Sequence, residues 1–409
     1  MKLNTTLKVL AAAAALALGA SPVQAQISGN VVKIGVLTDM SSLYADIGGP
    51  GSVLAAKMAI EDFKAKDKGL TVEVIFADHQ NKPDVATQIA NKWIDSEGVD
   101  VIVDVPNSGV ALAVSQVTRE KNKAFLGSGP GSSDLTGSKC SPNTIHWVYD
   151  TWMLANGTGK AIVKNGGDSW FFLTSDYAFG HALERDTAAV VTANGGKVLG
   201  AVRHPINTSD FSSFLLQAQA SKAKIIGLAN AGGDTINSVK QAAEFGIVQG
   251  GQKLAALLLF ASDVNALGLK TAQGLTFTET WYWDLNDGSR AWTKRWSAIR
   301  KDDSKVPTMN MAGVYAGVLH YLKAVDAIGK ADDGKAVVAE MKKLPTDDPL
   351  FGKGTVRQDG RVLHPAYLFE VKKPEESKYK FDFYHIRATI PADQAFRPLK
   401  DGNCPLVKG

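Results

Sequence analysis

Short β-branched runs alternate with stretches of helical spacing from residue 31 to residue 126, and the alternation restarts after residue 151. Val31 to Thr38 (VVKIGVLT) has the pattern of a buried strand. Gly51 to Phe63 has helical spacing, with Val53, Leu54, Met58 and Ala59 on one side. Thr71 to Ala77 returns to strand, and Pro83 to Ser96 to helix, with Pro83 suited to a first turn. Val99 to Val105, Val110 to Lys121 and Ala124 to Leu126 continue as strand, helix and short strand. Such an order specifies an α/β doubly wound parallel sheet with helices on both faces.

The second unit runs from a helix over Thr151 to Asn165 through strands at Ser169 to Thr174, Lys197 to Val202, Ala223 to Ala229 and Leu254 to Phe260. Helices at His181 to Ala193, Phe211 to Ala220 and Thr235 to Phe245 separate them. A strand from Leu275 to Glu279 then leads into Trp281-Tyr282-Trp283. Helices near Ser289 to Lys301 and Met309 to Ile328 follow, and strands near Ala366 to Lys372 and Tyr379 to Ile386. These late elements have no parallel partner in sequence. They are expected to complete the two earlier units, with the chain crossing between them more than once.

The length suits two domains. Lys2 and Lys8, the apolar run Val9 to Ala20 and the small residues of Val23-Gln24-Ala25 make a secretory signal with cleavage after Ala25. The apolar run is shorter than the roughly 20 residues a membrane span needs. The chain is therefore expected to be exported to an oxidising compartment. Its formal net charge is +4, and two of those charges leave with the signal. With no basic block or interleaved aromatic stripe, a nucleic-acid partner is not expected. Cys140 and Cys404 are the two cysteines. In such a compartment a lone pair forms a disulfide, two free thiols being the other reading. No spacing of cysteine or histidine fits a metal site, and none is expected.

Open α/β sheets bind ligands beyond the carboxyl ends of their strands. The first unit has glycine- and serine-rich segments there: Asp39 to Gly51, Pro106 to Gly109 and Gly127 to Ser133. Backbone N–H groups at helix starts in such segments suit an anion. The second unit offers Ser175 to Gly180, Asn230 to Asp234 and Ser262-Asp263, with aromatic and acidic side chains. Together they predict a cleft with polar anchoring on one wall and rings on the other. No G-x-S-x-G elbow and no P-loop lysine exist, and Gly48-Gly49-Pro50-Gly51 has the wrong spacing for a dinucleotide loop. No catalytic residue and no cofactor are expected.

Over essentially the whole mature length the chain resembles the solute-binding proteins of ABC importers, and within them the branched-chain amino-acid (Leu/Ile/Val) binding group. The resemblance rests on KIGVLTDMSSLYADIGGPGSVLAAKMAIEDF, on Ser128 to Thr136, on Phe172 to Gly180 and on Gln241 to Ile247. It implies a type I periplasmic binding protein, with two doubly wound parallel-sheet lobes joined by a three-crossover hinge. The implied organisation is a signal at 1–25, lobe 1 over 26–147 with 281–354 returning to it, lobe 2 over 148–280 with 355–395 returning to it, and a tail at 396–409. The implied partners are a small-molecule carboxylate and a permease in the inner membrane, the implied place is the periplasm, and the implied state is a monomer.

The resemblance also implies ligand contacts. The family's carboxylate-binding serine matches Ser108, beside Asn107, and its second carboxylate loop matches Gly129-Pro130-Gly131. Threonine is missing there, so Ser128 or Ser132 is expected to supply the hydroxyl. Aromatic positions match Phe179, beside Tyr177, and Ile47, near Tyr44. A third matches Ala231, a loss of bulk. The acidic partner of an amino-acid ammonium matches Ser262, with Asp263 one place on. Losing that acid leaves a buried ammonium unpaired, which costs several kcal/mol. The pattern therefore resembles the branch that takes aromatic acids such as benzoate and cinnamate derivatives. Tyr44, Tyr177, Phe179, Trp281 and Tyr282 would offer stacking surface, with hinge or lobe packing the other reading for Trp281 and Tyr282. Asp176, Asn230 or Asp263 would meet a ring hydroxyl. An amino acid or amide remains the alternative ligand if Asp263 or Asp234 turns inward, and a bilobal sensor the alternative role.

Overall fold

The computed structural model describes residues 31–407. The signal expected at 1–25 lies outside the described residues. The first sheet is built from β1 (Val31–Thr38), β2 (Thr71–Asp78), β3 (Val101–Asp104), β4 (Ala124–Gly127) and β5 (Thr144–His146). All pair in parallel in the order β2-β1-β3-β4-β5. Helices α1 (Gly49–Phe63), α2 (Pro83–Ser96) and α3 (Ser108–Glu120) connect them. Ile34 and Val36 join Ala56 and Met58 of α1 in one core, while Leu37 and Ile102 join Trp93 of α2 and Val114 of α3 in another. The strand alternation thus feeds two cores, one per face. β5 was not expected, because three residues are too few to show a period.

The second lobe begins with a helical stretch over 151–164. Its ends are α4 (Thr151–Leu154) and α5 (Lys160–Lys164), and Ala155–Gly159 between them is a π turn. Then come β6 (Ser169–Ser175), α6 (Ala178–Ala193), β7 (Lys197–His204), α7 (Ser212–Ala220), β8 (Ile225–Ala229), α8 (Gly233–Glu244) and β9 (Lys253–Ala256). The sheet is parallel, in the order β7-β6-β8-β9. The strand expected to reach Phe260 stops at Ala256. Leu257 to Phe260 are apolar because they are buried between packed elements, not because they pair in a sheet.

Helices α9 (Ala261–Leu267) and α10 (Leu269–Ala272) precede β10 (Thr276–Glu279). Next, α11 (Asp287–Arg300) and α12 (Met309–Ile328) pack on α1 of the first lobe. Two late features were not foreseen. One is α13 (Gly334–Lys343), started by Asp333, whose side chain accepts from Ala336 N. The other is a small antiparallel sheet of β11 (Thr346–Asp348), β12 (Gly352–Val356) and β13 (Val362–Leu363). β14 (Ala366–Val371) and β15 (Tyr384–Ile390) form an antiparallel sheet with β10. Cys140 and Cys404 are joined, across a sequence separation of 264. The bond pins the tail beside residues 133–137, where Arg397 donates to Ser133 O at 2.8 Å.

Candidate functional site

In the first sheet β1 connects to β2 on one side and β3 lies on the other, so strand order reverses between β1 and β3. In the second it reverses between β6 and β8. Crevices open at such switch points, and here the two face each other. Tyr44 and Ile47 follow β1, and Pro106 follows β3. Tyr177 and Phe179 follow β6, and Ala231 follows β8. With Tyr149, Leu258 and Phe260 these residues line one interlobe cavity. Its wall carries no charged side chain, and its packed lining leaves about 10 Å³ of free space, about the room of one water.

The lobes meet across this cavity. The hydroxyls of Tyr44 and Tyr177 stand 2.5 Å apart. Burial, with repulsion from neighbouring tyrosines and carboxylates, holds Tyr44 and Tyr149 well above the ordinary phenol range. Burial raises Tyr177 as well. All three are neutral donors. Tyr149 donates to Gly129 O at 2.6 Å and meets Phe260 edge-on, with ring centroids 6.0 Å apart. A Cβ at Gly131 would come within 2.6 Å of the Phe179 ring and 2.8 Å of the Tyr149 ring, so glycine is what lets the two lobes approach there.

Next to this wall, beside Pro106, the loops after β3 and β4 of the first lobe meet. Ser108 is the first residue of α3, and its Oγ accepts N–H bonds from Gly131 at 3.2 Å and Ser132 at 3.1 Å. Neither bond uses the Ser108 hydroxyl proton. Asp104 and Val105, at the end of β3, have φ of 80° and 59°. A β-branched residue in that region is strained, and Pro106 follows immediately. Asp104 is fully buried and accepts from Thr38 Oγ1 at 2.8 Å and Ser128 Oγ at 3.4 Å. Burial pushes its carboxyl up to about 6.

Other candidates have different partners. The Asn107 side chain caps α3 by accepting from Val110 N. Asn230 accepts from Thr235 Oγ1 at 2.8 Å and faces His204. Asp176 is exposed and pairs with His181 at 2.7 Å. Asp234 accepts from Asn207 N and Thr208 N. Asp263 accepts from Phe260 N at 3.0 Å and closes the first turn of α9. Ser262 Oγ is buried without a hydrogen-bond partner. Tyr282 stands outside the cavity wall. Its hydroxyl donates to Phe381 O and accepts from Phe383 N, and its ring packs on Tyr384 and Phe369. Trp281 donates to Ser289 Oγ and meets Trp292 edge-on.

Sequence reasoning missed Pro106, Tyr149, Leu258 and Phe260 as cavity residues. Tyr149 follows β5, the strand too short to be expected. Leu258 and Phe260 were placed inside a strand. Among the described residues no group of acidic, cysteine or histidine side chains could hold a metal ion.

A family model described as a periplasmic binding protein matches residues 31–378. The chain is 53% identical to a solved periplasmic binding protein from Burkholderia mallei, with a TM-score of 0.90, covering 93% of this chain and 100% of that one. It is 40% identical to a branched chain amino acid ABC transporter periplasmic ligand-binding protein from Burkholderia xenovorans, with a TM-score of 0.80, covering 92% and 99%. Among curated proteins it is 26% identical to Leu/Ile/Val-binding protein homolog 6 of Brucella melitensis, over 90% of this chain and 94% of that protein. A solute binding protein from R. palustris, solved in complex with 4-hydroxybenzoate, shares the fold at 22% identity and a TM-score of 0.80, covering 88% and 97%.

Proposed function

Since this chain belongs to the periplasmic binding protein family, the binding components of ABC importers rather than enzymes, we propose that it captures a small aromatic carboxylate between its lobes and hands it to a membrane permease. The observation that carries this reading is the composition of the cavity wall. Tyr44, Tyr149, Tyr177, Phe179 and Phe260 offer ring surfaces, and no charged side chain stands among the lining residues. Stacked aromatic pairs contribute roughly 0.5–1.5 kcal/mol beyond area burial.

The carboxylate end is assigned to Ser108. Its hydroxyl proton, which neither the bond from Gly131 nor that from Ser132 uses, gives a neutral donor at the start of a 13-residue helix. The helix dipole there favours negative charge. The paired tyrosine hydroxyls suit a hydroxyl on the ring. An α-amino group would lack a free carboxylate, because Asp234 and Asp263 are each taken up by backbone N–H groups. One observation favours the branched-chain amino-acid reading. Asp263 is buried and bonded to the backbone N–H of the wall residue Phe260, which makes it the acid placed next to the wall in sequence and in space.

Competition between 4-hydroxybenzoate and leucine at matched concentrations separates the two. Tighter binding of the aromatic acid is expected. Tighter binding of leucine, abolished in Asp263→Asn, would make this an amino-acid receptor.

A further inference from the structure

We propose that the second lobe holds a separate site for an amphipathic carboxylate, in the slot where its sheet is split between β9 and β10. β9 pairs with β8 alone and β10 with β14 alone, so two strand edges face each other without a ladder between them. The slot passes through the layer. α5 packs with α6 on one face, and α8 packs with α7 and α10 on the other, as right-handed crossovers require. Residues of α5, α8 and α10, together with both strand edges, line one cleft of about 1160 Å³. Small-molecule sites run to about 1,000 Å³, so the space is ample. It opens at the amino ends of β8 and β9, beside Ile225 and Lys253. The interlobe cavity lies at the opposite, carboxyl ends, so the two are independent.

The lining chemistry sets the occupant. Ile162, Ile225, Val239, Leu254, Leu275 and Leu368 supply an apolar channel. Four cationic side chains and one acid stand among them. Lys224 pairs with Asp168 and Arg387 with Glu370. Among the described residues Lys253 and Lys270 have no acidic partner. An apolar body ending in one carboxylate satisfies both parts. An inserted peptide strand does not fit as well. It would need β9 and β10 about 9.6 Å apart along their length, and some of their Cα atoms lie within 8 Å.

Dodecanoate, titrated by calorimetry below its micelle concentration, tests the site. The full chain should bind it. Lys253→Glu combined with Lys270→Glu should weaken binding at least tenfold, and so should Ala243→Trp at the exposed mouth. Dodecyltrimethylammonium should bind at least tenfold more weakly than dodecanoate. Phe179→Ala, in the interlobe cavity, should leave dodecanoate binding unchanged. No binding, equal binding of the cationic amphiphile, or a loss confined to Phe179→Ala would each overturn the proposal. The 4-hydroxybenzoate competition is unaffected by all of these outcomes.

Discussion

Ser108 joins two loops and holds one proton in reserve. Replacing it with alanine removes that donor and leaves Gly131 N–H and Ser132 N–H without their acceptor. A hydrogen bond to a charged group contributes roughly 1.5–3 kcal/mol. Ser108→Ala should lose about that much affinity for 4-hydroxybenzoate in calorimetry, with the fold intact by circular dichroism; undiminished affinity would count against Ser108 as the carboxylate's partner. Asp263 makes a second prediction. Burial pushes its carboxyl up to about 7, from an ordinary 3.8 in the unfolded chain. Between those values the unfolded chain has given up a proton that the folded chain keeps. Folded stability therefore falls as pH rises from about 4 to about 7 and is flat with respect to this group above that. Asparagine keeps an acceptor for Phe260 N–H and does not titrate. Urea midpoints of Asp263→Asn relative to the parent should thus rise steadily from pH 4 to pH 7. A constant gap would contradict the raised carboxyl.

At the scale of elements, the π turn over Ala155–Gly159 fixes how the second lobe meets its antiparallel extension. Thr158 shares a 2.9 Å hydrogen bond with Thr278 of β10, and a Cβ at Gly157 would lie 2.3 Å from Thr278 Oγ1. Gly157→Ala should destabilise the chain by about 1–3 kcal/mol through overpacking, read as a lower urea midpoint; an unchanged midpoint would mean that β10 can shift at no cost. The π turn was not legible in the sequence, where residues 151 to 165 read as one helix. What was legible had a period long enough to show: β1, β2, and the helices that alternate with them. β5 and β13 have three and two residues, too short for any alternation. Leu257 to Phe260 misled because burial by loops and burial in a sheet leave the same apolar mark. The cavity wall was legible in part for a related reason. Loops after β1, β3, β6 and β8 follow from strand order, so Tyr44, Ile47, Tyr177, Phe179 and Ala231 were within reach. Tyr149 depended on an unseen strand. For Asn107, Asn230 and Asp263 the residue type suited ligand contact and helix capping or loop bonding equally well, and only the folded arrangement decides which bonds they make.

For the molecule as a whole, the proposed ligand site requires the lobes to part before anything can enter. Tyr44 with Tyr177, Ser133 with Asp186 at 2.7 Å, and Arg185 with Asp134 at 3.2 Å tie the two sheets together. The packed cavity leaves too little room for an aromatic acid until some of these contacts yield. Small-angle scattering should show a wider particle without ligand and a contraction when ligand binds, because only the closed form makes the full set of contacts. A radius of gyration that does not respond would count against hinge closure. The Cys140–Cys404 bond has a mechanical consequence. If the molecule is pulled by its two ends, tension runs along the early chain to Cys140, crosses the sulfurs and leaves through the last few residues. The second lobe hangs outside that line of force. The 264-residue separation, worth about 900 Å of extended chain, should stay out of the unfolding length in an optical trap. Adding a reductant should release it.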